Sequence, residues 1–145
     1  MKALAVLATM LGLVALLSWN QLDAQREGRA AQSVALNYAL YRNEAFRYAL
    51  GGNGTGGEVS PAALALPTAW KPMREWRTRI EGGRCYVHGP ATPTEAGKVR
   101  ALFRGSYAVG WKADGHLVPS NPDGARIALP AWIADGAVVS VISLD

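Results

Sequence analysis

With 145 residues, a net charge of +4 and one cysteine, the chain has room for one small domain and cannot close an internal disulfide. Its 15 Lys and Arg are scattered apart from the group Arg74, Arg77 and Arg79, so no continuous basic face of the kind that tracks nucleic acid is encoded. Half of the residues are hydrophobic, and their uneven distribution is the first guide to architecture.

The chain opens on an apolar run. Ala3 to Leu17 carries no charge and only Thr9 as a polar interruption, and Ser18 and Trp19 close it. As a helix, Ala3 to Trp19 would span about 25 Å, close to the hydrocarbon thickness of a bilayer. Neither candidate cleavage point has small residues at both key positions, since Leu22 or Leu16 would stand at −3. An uncleaved anchor over residues 1–21 is therefore favoured over a signal peptide. Trp19 stands where an aromatic belt residue would meet the interface. A two-residue tail before a long polar body predicts a single-pass inner-membrane protein with its C-terminal domain in a bacterial periplasm.

Residues 22–50 read as a helix continuing from the anchor. Val34, Tyr38, Tyr41, Ala45 and Tyr48 recur at steps of four and three, a narrow apolar stripe that predicts a core-facing side. Leu36, Leu40, Phe46 and Leu50 form a looser second row. A thin domain has little left to cover it with, so these four residues are the expected partner-contact positions. Gly28 is a candidate kink.

Residues 51–60 begin with GGNGTGG, which stops the helix. The segment lacks the Lys-Ser/Thr of a phosphate-binding loop and the strand before it, so it reads as a flexible connector. Residues 61–145 read as a small β-rich domain. Pro61, Pro67 and Pro72 cut its first part into short pieces. Arg84 to His88 is strand-like, Gly89 to Gly97 reads as loop, and Lys98 to Phe103 is either strand or short helix. Ser106 to Lys112 alternates as a strand and returns through a hairpin at Asp114-Gly115. Ala137 to Leu144, after the Asp135-Gly136 turn, is the strongest strand signal. The order of elements predicts an α+β fold. An N-terminal transmembrane helix continues into a long amphipathic helix, which packs on a small antiparallel sheet in a pilin-like outline.

Signals for chemistry are sparse. Cys85 and His88 are three apart on a strand and point to opposite faces, with no further ligands clustered near them. Cys85 reads as a small buried apolar residue. Asp114, Asp123 and Asp135 each adjoin glycine, where a turn accounts for them. No catalytic motif, metal set or cofactor site is expected, nor a small-molecule substrate, and the chain is not expected to be an enzyme.

The processing site and early glutamate of true prepilins are absent. The chain instead resembles the PilM family of conjugative-plasmid type IVb (thin) pilus biogenesis proteins, over nearly its whole length. The likeness rests on the ordered set of a brief anchor, Asn37-Tyr38, Tyr41-Arg42-Asn43, the Gly51 to Gly57 break, Tyr86-Val87, Gly110-Trp111, Leu129-Pro130, Gly136 and Val138-Val139. The resemblance implies an inner-membrane structural component of a pilus basal body or secretion apparatus. Such a component acts by contact with the membrane and other pilus-assembly proteins, with no catalytic residues. The alternative is an exported stand-alone binding domain or minor-pilin-like surface subunit.

Overall fold

The computed structural model describes residues 2–145, with side chains from Ala8 onward. Helix α1 spans Lys2–Leu50 and runs unbroken through Gly28. Its composition explains the length: no proline, and long stretches of Ala, Leu, Arg and Gln that favour helix. Gly51 and Gly52 end it, the latter at φ 90°, and the Gly51 amide closes the last turn on the Arg47 carbonyl at 3.0 Å. The Asn53 side chain donates to the Tyr48 carbonyl at 3.2 Å, satisfying another of the carbonyls that a helix end leaves open.

The rest of the chain builds seven strands, one turn of 3-10 helix at Pro61–Ala63 and one further α-helix. The strands are β1 (Gly57–Val59), β2 (Arg77–Glu81), β3 (Arg84–Gly89), β4 (Val109–Ala113), β5 (His116–Pro119), β6 (Ile127–Ala128) and β7 (Val138–Ser143), and helix α2 (Pro93–Leu102) lies between β3 and β4. They pair antiparallel in the order β1-β2-β3-β7-β4-β5-β6. The C-terminal strand β7 is thus the centre of the sheet, and it buries four consecutive residues from Val138 to Val141. Gly82-Gly83, at φ 58° and 71°, turn β2 into β3. Asp114-Gly115, at φ 50° and 73°, turn β4 into β5. Positive φ at both central residues matches the right-handed twist of the flanking strands.

Alternation along the strands sorts two cores. Ile80, Cys85, Val87, Val109 and Val138 face α1 and pack with Val34, Tyr38, Tyr41 and Ala45. Tyr86, Val139, Val141 and Leu117 face the other way and are covered by Leu129, Ile133 and Trp132. The fold is therefore the expected α+β class, a long helix on one face of an antiparallel sheet.

Two local expectations change, and a stretch the sequence left unassigned becomes a strand. The stretch Gly89 to Gly97, read as loop, holds the start of α2. Thr92 caps it in a reciprocal box with Glu95, and Pro93 sits in the first turn, where a missing amide costs nothing. Residues 51–60 are not connector throughout, because Gly57–Val59 pairs with Thr78–Ile80. The basic stretch around Arg77 and Arg79 is a strand, its charges on one face and Thr78 and Ile80 on the other.

Gly110 shows how closely the backbones meet. A Cβ there would stand 1.8 Å from the Val118 carbonyl oxygen, so only glycine fits at this point of the β4–β5 pair.

Candidate docking surface

The surface is built on α1, whose two halves lie in different surroundings. From Ala31 to Ala49 one side is buried against the sheet and α2. From Ala8 to Arg26 every described side chain is exposed, including Met10, Leu11, Leu13, Val14, Leu16 and Leu17. Among the described side chains the hydrogen-bonded tie to the domain starts at Glu27, whose carboxylate accepts from the Thr94 hydroxyl at 3.1 Å. Residues 8–26 thus leave the domain as an exposed stalk, mostly apolar as far as Trp19 and mostly polar from Asn20 to Arg26. Among the described residues no helix is long and apolar enough to cross a membrane. The first part of the expected anchor, residues 1–7, lies outside the described side chains.

The tyrosine stripe is core for Val34, Tyr38, Tyr41 and Ala45, with Tyr48 half-buried. The Tyr38 hydroxyl donates to the Val87 carbonyl at 3.0 Å and shares a hydrogen bond with Ser140 at 2.8 Å. Burial drives its acidity far below that of a free phenol. Tyr41 stacks on Trp70, and its hydroxyl accepts from Thr78 at 3.0 Å.

The second row divides. Leu36 is 54%, Leu40 38% and Leu50 64% exposed, whereas Phe46 is 7% exposed and belongs to the core. Phe46 is therefore not available as a contact residue. At about 100° per residue it points well away from Leu36 and Leu40, and the Arg42 guanidinium lies over its ring at 4.4 Å. The same guanidinium lies 4.8 Å from the ring of Phe103. That sandwich accounts for Arg42 in the Tyr-Arg-Asn stretch, and burial lowers its basicity.

Asn37, beside this row, fastens the segment before β2. Its side-chain amide donates to the Lys71 carbonyl at 2.8 Å, and its oxygen accepts from the Met73 amide at 3.0 Å and the Trp76 indole at 2.7 Å. Sequence periodicity gave no sign of this role, since Asn37 falls between the apolar rows. Lys112 was likewise not foreseen. Its buried ammonium donates to the carbonyls of Pro130 and Ile133 at 3.1 and 2.6 Å, holding the turn that covers the second core.

The basic group is neutralised in place. Arg74 forks onto Glu95, Arg77 pairs with Glu75 and Glu58, and Arg79 pairs with Glu81 and lies over the Trp132 ring. Arg77, Arg79, Glu58, His88 and Trp132 line a cleft of about 490 Å³ on the sheet face away from α1. Burial, with a smaller contribution from Arg77, lowers the His88 pKa to about 4, so its ring is neutral at ordinary pH. Cys85 lies on the opposite face, its thiol pushed up to about 11 by burial, and the two do not converge. Among the described residues no three His, Cys, Asp or Glu are grouped to hold a metal.

No curated protein matches the chain. Among solved structures, a crystal structure of a protein described as PilM from Escherichia coli B7A shares the fold at a TM-score of 0.59 and 21% identity, covering 80% of this chain and 94% of that one. The PilM family profile matches residues 6–141. The chain belongs to the PilM family.

Proposed function

We propose that this protein is an inner-membrane-anchored structural component of a type IV (thin) pilus assembly or basal body, acting by protein-protein contact. The family membership supports a pilus-related role. The observation that carries the rest is the two-part α1: a stalk whose described side chains are all exposed and are mostly apolar up to Trp19, continuous with a helix that is core on one face and apolar at Leu36 and Leu40 on the other. A bare apolar stalk of this kind is stable only when something covers it. The inner membrane is that cover in this reading, and the domain stands in the periplasm. The exposed row then meets other assembly proteins.

The test compares piliation with abundance. Leu36→Glu with Leu40→Glu should leave the protein as abundant and folded as the wild type and remove pili, together with plasmid transfer in liquid. Full piliation at normal abundance would show that the row is not a docking site. A gene deletion without effect on piliation would reject the assembly role itself.

A second reading, an exported binding domain or minor-pilin-like surface subunit, draws on the cleft at His88 and Trp132. It predicts the chain in sheared pili rather than in the cell envelope.

A further inference from the structure

The outward side of α1 carries a charge pattern as well as an apolar one. At about 100° per residue, Leu22, Arg26, Arg29, Ser33, Leu36 and Leu40 lie within about 80° of arc. The row runs about 27 Å along the axis. Its ends are apolar and exposed, with Leu22 and Leu36 each about half open to solvent. Its middle holds Arg26 and Arg29. The acids of the same segment lie off this arc: Glu27 is turned to α2, where it accepts from Thr94, and Asp23 reaches Arg26 only at 3.9 Å with both side chains over three-quarters exposed, a pair of little strength. Arg29 has no ion pair among the described residues.

From this pattern we infer that the outer row of α1 receives an acidic amphipathic helix of another assembly protein, with apolar residues against Leu22, Leu36 and Leu40 and carboxylates against Arg26 and Arg29. The inference rests on the assembly role proposed above and adds the chemistry of the partner. A row of four- and three-residue steps along a helix is the shape that a second helix covers. A bilayer crossed by the stalk meets only the turns nearest Trp19 and cannot follow the row to Leu40. A second copy anchored in the same membrane runs parallel and sets Arg29 against Arg29, a like-charge contact at the centre of the interface. An acidic helix removes that repulsion and supplies fork-shaped partners to both guanidinium groups.

The experiment uses the full chain in cells. Arg26→Glu with Arg29→Glu should keep normal abundance and reduce piliation roughly tenfold or more, as loss of opposed charge pairs does. Arg26→Lys with Arg29→Lys should retain pili. Suppressors of the Glu pair should change Asp or Glu to Lys or Arg within a helix of one other assembly protein. A photocrosslinking residue at Ser33 should join the chain to that same protein. Full piliation of the abundant Glu pair overturns the inference, and so does a Ser33 crosslink to a second copy or to lipid. In those outcomes loss of pili in the Leu36 and Leu40 variants still upholds the assembly role, whereas a silent gene deletion removes both.

Discussion

Tyr38 joins the long helix to the centre of the sheet. Its hydroxyl lies between the Val87 carbonyl on β3 and Ser140 on β7, and its ring meets Trp76 edge to face at 5.0 Å. Tyr38→Phe keeps the ring and removes both hydrogen bonds, leaving the buried Ser140 hydroxyl short of a partner. The expected loss is about 1–3 kcal/mol in a urea titration. Tyr107→Phe, at an exposed site, should stay within about 0.5 kcal/mol. His88 gives a pH signature. Unfolded, it takes up a proton near its usual 6.5, but folded it resists protonation until about 4. Between those values the unfolded chain binds the extra proton, so stability falls as the pH drops through this window. His88→Gln removes that contribution. Its melting temperature should decline less than the wild type's between pH 7 and pH 4.5, and identical declines would show that His88 is not the group responsible.

Among the elements, legibility followed periodicity. The stripe from Val34 to Ala45 could be read because helix burial repeats at 3.6 residues, and β7 because it is the most continuously apolar run in the domain. The hairpin at Asp114-Gly115 was legible from its turn chemistry. The start of helix α2 was missed, and its second half left open between strand and helix, although Thr92-Pro93-Thr94-Glu95 spells a helix start. Proline was taken as a breaker where it is in fact tolerated, in the first turn. Strand β2 was missed because its alternation is written in charges, Arg77, Arg79 and Glu81 outward, rather than in apolar residues. The exposure of Leu36, Leu40 and Leu50 was legible. Phe46 shared their residue type but not their face, a distinction that needs the neighbouring Phe103 and Arg42 to be placed. The segment Lys71 to Trp76 has no pattern at all, and Asn37 holds it with three hydrogen bonds. Asn37→Ala should therefore leave the helix intact and loosen that segment. Amide exchange at Met73 should accelerate well before exchange in β3 or β7, and unchanged protection at Met73 would assign the hold to other contacts.

At the scale of the whole molecule, the buried and the exposed apolar residues of α1 occupy separate stretches of one helix. The core begins at Ala31. The nearest link before it, Glu27 to Thr94, is an exposed hydrogen bond, and the described stalk residues bury nothing. The domain's stability therefore owes little to the stalk, while the stalk's exposed Leu, Val and Met side chains need a cover that the domain does not supply. A chain starting at Glu27 keeps both cores, α2 and all seven strands. It should melt within a few degrees of the detergent-extracted full chain, since no buried contact is lost. It should also leave the membrane fraction and fail to support piliation even at wild-type abundance. A shortened chain that still sediments with membranes would move the attachment into the domain. One that unfolds would show that the stalk contributes to the fold through contacts beyond Glu27. If it is soluble, folded and inactive, the stalk's role is to hold the outer row of α1 at a fixed height above the membrane, where a partner helix anchored in the same bilayer can lie alongside it.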